Sequence, residues 1–355
     1  MTEAITGAAL HARRVAAATP VGWGVIGCGW VARDFAIPAI RAAGRLVAVH
    51  DHDPAAAEAV GASQCALDAM VSDPAVEAIY VATPNHAHAP AVIAAAHAGK
   101  AILCEKPLAT TAEDASAMIE AVTAAGVPFA TAYDQRFHGA HRMIARLVAD
   151  GTLGQVTHAA IRYACWLPDG FAPVLGHDNW RIDAARAGGG AVIDLAPHGI
   201  DLLAMLSGTR PVDVRVMLQH AVHPYAREGG VDDGGLVSVR YAGGLLASLS
   251  VAYNCPDALP RRRLELCGTN GAIVAENTMG QTAGGTLILY GADGTPTPLV
   301  IADDRPPFEV QIEAFGNRIR GRPDPGFARP EDDLAAHLLL IEALGAAQQE
   351  TLSCP

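Results

Sequence analysis

The first chemistry in this chain is carried by a short turn, Gly27-Cys28-Gly29-Trp30-Val31-Ala32. Its G-x-G-x-x-A spacing follows an apolar run and precedes a helical one. Glycines so placed let a dinucleotide pyrophosphate approach the backbone and rest on a helix N-terminus. Asp51 lies 24 residues after Gly27, at the end of the next apolar run. A carboxylate there bonds the hydroxyls of an adenosine ribose. It also repels a 2′-phosphate, by about 1–4 kcal/mol at ~4 Å. The next residue, His52, is not a fixed cation, so the expected cofactor is NAD rather than NADP.

Lys106 stands in Glu105-Lys106-Pro107, directly after the apolar run Ala101–Cys104, and Thr83-Pro84-Asn85 follows another such run. Ligands bind at that edge of a parallel sheet. A lysine there can be desolvated and can stabilise a developing alkoxide. Further on, Gly188-Gly189-Gly190 leads into Asp194-Leu195-Ala196-Pro197-His198. Proline is tolerated in a helix's first turn, so a helix is expected to start near Asp194–Pro197. Asp194 and His198 then share one face, and His198 meets the positive end of the helix dipole, which lowers its pKa. A general base needs a neutral imidazole. The rival reading is an aspartate cap beside a buried structural histidine. A metal pair is disfavoured, because no third ligand at convincing spacing accompanies it. Asp232-Asp233 reads as a solvated turn, and Arg261-Arg262-Arg263 as a solvated strand edge.

These side chains need elements to position them. Val21–Ile26, Leu46–His50, Ala78–Ala82, Ala101–Cys104 and Pro128–Tyr133 read as strands. Between them lie helical stretches: one to about Ala43, bent at Pro38, then Pro54–Val60, Leu67–Ser72, His86–His97 and Ala112–Ala125. That alternation predicts βαβ units in a doubly wound parallel sheet of Rossmann type, an α/β fold with its strand C-termini along one edge. After about residue 150 the grammar changes to an open, largely antiparallel sheet. Its strands are Val156–Tyr163, Val212–Gln219, Leu236–Tyr241, Leu245–Tyr253, Leu264–Cys267, Ile273–Ala275, Leu287–Leu289 and Leu299–Ile301. Helices are expected from Pro197 to about Leu206 and near Val310–Arg320 and Glu331–Gln349. The expected organisation is a tail at 1–20, a dinucleotide-binding domain at 21–140, and an α+β domain at 141–355 for substrate and assembly. The C-terminal helix is expected to pack back on the first domain. A sheet with one face uncovered predicts a homodimer or homotetramer through it.

Composition narrows the field. The net charge of −12 argues against nucleic acid as a partner and suits a neutral small molecule. Half the chain is hydrophobic, yet no run reads as a membrane span. The seven cysteines (Cys28, Cys65, Cys104, Cys165, Cys255, Cys267 and Cys354) are scattered, which fits a reducing, cytoplasmic compartment. Arg13-Arg14 in the alanine-rich start is compatible with an export signal, but no separate apolar region follows, and 1–20 reads as a loose tail.

Taken in order, these motifs resemble the glucose–fructose oxidoreductase / inositol dehydrogenase (Gfo/Idh/MocA) family: the glycine turn, Asp51, Thr83-Pro84-Asn85-His86-Ala87-His88, and Gly99-Lys100 running into Glu105-Lys106-Pro107. Tyr133-Asp134-Gln135-Arg136-Phe137 resembles the family's aromatic-x-x-Arg-Phe segment, with Asp134-Gln135 in place of the commoner Asn-Arg. Trp180-Arg181, Gly188-Gly189-Gly190 and Asp194-x-x-x-His198-x-x-Asp201 resemble its substrate-domain signature. The resemblance spans about 21 to 350. It implies a nicotinamide-dependent oxidoreductase of sugars, inositols or related polyols. By position, Lys106 would polarise the reacting hydroxyl, His198 would accept its proton, and Asp194 would bond substrate hydroxyls. Gly27, Cys28, Gly29, Trp30, Val31, Asp51, His52, Thr83, Asn85, His88, Glu105, Lys106, Trp180 and Arg181 would surround the cofactor, and Arg136 would reach substrate.

The expected reaction is hydride transfer between a carbinol carbon and NAD, with no metal. One alternative keeps the fold but cleaves a glycoside by transient oxidation, elimination and return of the hydride. Another is a non-catalytic NAD or sugar sensor, against which the presence of both Lys106 and His198 argues. Trp166, Phe171, His177 and Asn179 are candidates to line the substrate pocket, with a loop cap unrelated to substrate as the rival.

Overall fold

A computed structural model describes residues 20–171, 179–228, 230–323 and 326–353. The tail expected at 1–20, with its arginine pair, falls almost entirely outside them. Gly22–Ile26 (β1), Arg45–His50 (β2), Ala78–Val81 (β3), Ala101–Cys104 (β4) and Phe129–Thr131 (β5) form one sheet, in the order β2-β1-β3-β4-β5. Every pair is parallel. All residues of β1, β3 and β4 are buried, as parallel strands covered on both faces must be. The strand order reverses between β1 and β3, and the crevice beyond their carboxyl ends is where such sheets take ligands.

The glycine turn leads into a wide helical segment, Ala32–Ala36, and then into the α-helix Ile37–Ala43. The Ile37 N–H donates to the Ala32 carbonyl five residues back, so Pro38, which has no N–H to give, follows a change of register rather than breaking a regular helix.

The second sheet contains Val156–Ala164 (β6), Pro211–Gln219 (β7), Gly234–Tyr241 (β8), Leu246–Ala252 (β9), Arg262–Gly268 (β10), Gly271–Glu276 (β11), Thr286–Gly291 (β12) and Pro296–Leu299 (β13). Their order is β13-β12-β11-β10-β6-β9-β8-β7, antiparallel except for the parallel pair β6–β9. The last strand lies upstream of the expected Leu299–Ile301, because Leu287 pairs with Leu299 and Tyr290 with Pro296. One face packs on the helix Ala191–Ser207, whose Leu195, Leu202, Leu203 and Leu206 are buried in a core shared with Val237, Val239, Leu249 and Val251. Residues Ala184–Ser207 are apolar enough in length and composition to cross a bilayer, but most of that stretch is buried inside the protein, as a core helix is.

Two late helices tie the halves together. Phe308, Ile312 and Phe315 of Pro307–Ile319 join the core of the first sheet, with the Phe315 ring 5.7 Å from that of Trp23. Pro330–Ser353 touches the helix Ala112–Ala125 and β5 on one side, and β7 and Ala191–Ser207 on the other.

Three expectations need correction. The helix that carries Asp194 and His198 begins at Ala191, not near Asp194–Pro197, and Pro197 lies inside it. His198 therefore stands two turns from the N-terminus, beyond the reach of the dipole effect expected for it. Asp232 explains the early start. Its Oδ1 accepts from Gly190 N at 2.8 Å, its Oδ2 from Val192 N at 2.8 Å, and its carbonyl from Ala191 N at 3.0 Å. A Cβ on residue 190 would lie 1.8 Å from that carbonyl, so only glycine fits there. Asp232-Asp233 is thus no solvated turn: both are buried, and Asp233 accepts the backbone N–H groups of Ala221, Val222 and His223. Nor are the three arginines a solvated edge. β10 is an interior strand between β11 and β6; Arg263 pairs with Glu265 and Glu276, Arg261 pairs with Asp257, and the Arg262 guanidinium lies 5.8 Å over the Tyr163 ring.

Candidate active site

A cleft of about 510 Å³ opens beyond the carboxyl ends of β1 and β3 and is closed by residues of the second half, Asn179, Trp180, Arg181, Arg186 and Asp194. Its floor is the glycine turn. Gly27 has φ +90°, and a Cβ there would lie 2.5 Å from the Ala82 carbonyl and 2.7 Å from Thr83 N, so the turn is pressed against the chain leaving β3. At Gly29 an added Cβ would meet nothing within 4 Å among the described residues, which leaves the turn open towards the cleft. Trp30 and Val31 line it beside the two glycines.

Asp51 is tied to this turn. Its Oδ2 accepts from Cys28 N at 2.7 Å and its Oδ1 from Asp53 N at 2.9 Å, while His52 Nδ1 lies 3.1 Å from Oδ1. The Cys28 side chain itself is core, and burial with the Asp51 charge pushes its thiol up to about 12. Cys28 thus acts on the cleft through its backbone, by fixing Asp51. Among the described residues, the fixed cations lining the cleft are Lys106, Arg181 and Arg186.

The loops after β3 and β4 are locked to each other. His88 Nδ1 lies 2.8 Å from the Pro107 carbonyl and Nε2 lies 3.1 Å from the Thr83 carbonyl; burial pushes the imidazole down to about 4. Asn85 Nδ2 donates to the Ala187 carbonyl at 2.9 Å, which joins the first sheet to the short helix Ala184–Ala187. Thr83, Asn85 and His88 all line the cleft, and Thr83 Oγ1 is buried without a partner among the described residues. That orphaned hydroxyl, the open turn at Gly29 and the anchored Asp51 fit a dinucleotide laid along the cleft. Glu105 accepts from Tyr80 OH at 2.6 Å, and burial pushes its carboxyl up to about 7 against the influence of Lys106.

Lys106 reaches across to the second half. Its Nζ donates to Asp194 Oδ1 at 2.5 Å and to the Asp194 carbonyl at 2.9 Å, and Tyr253 OH donates to Asp194 Oδ2 at 2.7 Å. Burial alone would raise the Asp194 carboxyl, but Lys106, Arg181 and Tyr253 together hold it well below the usual carboxylate range. At the second domain's side of the cleft, the Arg181 guanidinium lies 4.5 Å over Trp180, 5.8 Å over Phe171 and 5.9 Å over Trp30, a cation–π cluster that spans both halves.

Other expected residues lie elsewhere. Arg136 is not among the described residues that line the cleft: its guanidinium pairs with both oxygens of Asp201 at 2.6–2.9 Å, and both residues are buried. An arginine so held is spent on joining the β5 loop to the helix Ala191–Ser207. His198 is 5% exposed, one turn beyond Asp194, with Nδ1 3.3 Å from Asp134 Oδ1 and the Tyr163 ring at 5.5 Å. Trp166 packs on His223 at 4.6 Å, away from the cleft, whereas Phe171 stands 6.0 Å from Trp30 and Asn179 lines the cleft. His177 lies outside the described residues. The sequence reading missed Tyr253, Asp134 and Tyr80. Tyr253 follows β9, and the inward alternation of Leu249 and Val251 continues to it.

Two family models match the chain. "Oxidoreductase family, NAD-binding Rossmann fold" covers residues 21–133, and "GFO/IDH/MocA C-terminal domain" covers residues 141–274. A 1,5-anhydro-D-fructose reductase of Ensifer adhaerens is 34% identical, over 92% of this chain and 97% of its own length. An inositol 2-dehydrogenase of Rhizobium meliloti is 30% identical, over 72% of this chain and 76% of its own. Among solved structures, an aldose-aldose oxidoreductase from Caulobacter crescentus complexed with glycerol superposes with a TM-score of 0.81, at 26% identity over 94% of this chain and 98% of that one. By both its halves and its near full-length likeness to these proteins, the chain belongs to the Gfo/Idh/MocA family of NAD(P)-dependent oxidoreductases that act on CH–OH groups.

Proposed function

We propose that this protein transfers hydride between a carbinol carbon of a neutral sugar, inositol or related polyol, or its keto form, and NAD in preference to NADP. The observation that carries the reading is the Lys106–Asp194 pair, set in the same cleft as the glycine turn and Asp51. The activities of the relatives, an anhydro-sugar reductase and an inositol dehydrogenase, support cyclic polyhydroxy substrates. The cofactor, when bound, supplies the hydride acceptor or donor. Asp51 supports NAD, because its carboxylate is held on the glycine turn beside His52, which is no fixed cation, and would repel a 2′-phosphate.

Lys106 donates to the reacting oxygen and stabilises the charge that develops on it. Asp194 holds Lys106 in place and offers its partly buried carboxylate, 23% exposed, to neighbouring hydroxyls. His198, one helical turn further on, takes the hydroxyl proton. Arg181 and its aromatic neighbours help to exclude water, and a drier cleft strengthens each of these interactions. The outer face of the second sheet leaves Met217, Leu236 and Leu246 71%, 56% and 49% exposed, which supports a second copy of the chain as its cover. Light scattering tests that: a dimer or tetramer is expected, and a monomer at micromolar concentration contradicts it.

The test of the function is a panel of hexoses, anhydro-sugars, inositols and linear polyols with NAD and NADP in parallel, followed by nicotinamide absorbance. Turnover on a cyclic polyol with NAD favoured is expected. Failure of the whole panel, run in both directions, overturns the substrate class, and preference for NADP overturns the role of Asp51.

A further inference from the structure

Next to the Lys106–Asp194 pair stands a carboxylate that the reaction above does not use. Asp134, on the short helical turn Asp134–Phe137 that follows β5, is 2% exposed. Its Oδ1 lies 3.3 Å from Nδ1 of His198. Nδ1 is wholly buried and, among the described residues, makes no formed hydrogen bond, so the Asp134 carboxylate at 3.3 Å is the acceptor that faces it, and what exposure the ring keeps lies away from that nitrogen. Asp134 Oδ2 accepts from Gln135 Nε2 at 2.9 Å. Gln135 is fully buried and held at both ends of its amide: Nε2 donates to the Gly280 carbonyl at 3.1 Å, and Oε1 accepts from Gly280 N at 3.2 Å. Gln135 therefore fixes Asp134, and Asp134 faces the imidazole.

The other groups around His198 do not compete for this role. The rings of Tyr163 on β6 and Tyr133 lie edge-on at 5.5 and 6.5 Å. Asp201, three residues along the same helix, is bound on both oxygens by Arg136, and Asp194 is bound by Lys106 and Tyr253. Asp134 is the facing carboxylate that carries no cationic partner of its own in these contacts.

We infer that Asp134 is the positioning residue of His198, which makes the base of this protein an aspartate–histidine pair. The carboxylate places the imidazole proton on Nδ1 and leaves the Nε2 lone pair to accept the substrate proton. In the oxidative direction the O–H proton passes to Nε2, the carbinol C–H leaves as hydride to the oxidised nicotinamide, and the carbon is left as a carbonyl. Asp134 gains no proton; it stabilises the imidazolium. The inference rests on the reading of His198 as the base.

The test pairs Asp134→Asn with His198→Gln in the full-length protein. For Asp134→Asn, kcat is expected to fall about a hundredfold, while the Kd for NADH stays within twofold of wild type. The acid limb of log kcat is expected to move to lower pH, because a neutral neighbour no longer favours the imidazolium. A kcat within threefold of wild type and an unmoved limb overturn the role of Asp134. If His198→Gln keeps its turnover, the base assignment falls instead, which separates the two failures. Should Asp134→Asn not fold, ¹⁵N–¹H spectra of ¹⁵N-histidine-labelled wild type, assigned with His198→Gln, read the tautomer directly. The Nδ1–H form is expected, and the Nε2–H form overturns the proposal.

Discussion

Lys106→Met is the sharpest perturbation of the cleft, because it removes one cation and keeps most of the side chain's bulk. Nζ lies 2.5 Å from Asp194 Oδ1 and 2.9 Å from the Asp194 carbonyl, and the lysine side chain is 12% exposed. Two consequences follow from that geometry. First, a charged donor aimed at the developing alkoxide is lost. One such preorganised donor is worth about 10²–10³ in kcat, or about 2.7–4 kcal/mol. Second, Asp194 loses the largest influence that holds its carboxyl down, leaving Arg181 and Tyr253 against burial. In the wild type Asp194 stays ionised well below neutral pH. In the variant its carboxyl moves up, so that protonation, and the activity lost with it, is met earlier as pH falls. Steady-state kcat across pH, with NADH affinity by fluorescence, separates the two. The expectation is a hundredfold or greater loss of kcat, unchanged NADH affinity and an acid limb displaced upward. A kcat within threefold of wild type refutes the reasoning, and a parallel collapse of NADH affinity assigns Lys106 to the cofactor instead.

Asp51→Ser removes the carboxylate held by Cys28 N and Asp53 N; the NAD-to-NADP ratio of kcat/KM is expected to fall at least about fivefold, given about 1–4 kcal/mol of like-charge repulsion removed. Tyr253→Phe deletes the 2.7 Å hydrogen bond to Asp194 Oδ2. Loss of roughly 1.5 kcal/mol for a bond to a charged group gives about a tenfold fall in kcat if the bond is kept through the reaction, with the fold intact by circular dichroism. Asp232→Ala strips the two side-chain bonds from Gly190 N and Val192 N. It is expected to cost about 2–3 kcal/mol and to lower Tm by several degrees, with reduced occupancy of the Lys106–Asp194 contact seen as lower kcat.

Much of the first sheet was legible because its helices and strands follow local rules. Leu67–Ser72, Ala101–Cys104 and Ala112–Ala125 have the bounds that composition and apolar pattern predict. Thr111 caps the last of these through Asp114 N, and Gly126 ends it at φ +64°, which are signals written in the sequence. What was not legible depends on partners far along the chain. Pro197 is tolerated two turns into its helix because Asp232, 35 residues later, anchors the N-terminus and a packed core holds the rest. Asp232-Asp233 looks like a turn on the page, yet it is buried by the backbone donors it collects. Arg136 sits in a motif that resembles a substrate-binding segment, but Asp201, 65 residues away, claims it. Tyr253 lay in no motif, and Asp134 lay in one that gave it no role; only the folded chain brings the first to Asp194 and the second to His198. The parallel β6–β9 pair within an otherwise antiparallel sheet is likewise a property of topology rather than of any strand's own pattern.

The central claim, net hydride transfer from a carbinol carbon to NAD in this cleft, is tested most directly with a polyol substrate deuterated at the carbon to be oxidised. After turnover with NAD, one deuterium is expected on the reduced nicotinamide for each molecule of ketone formed. Deuterium returned to a rearranged or cleaved sugar, with no net NADH, would contradict it and would mark the oxidation as transient.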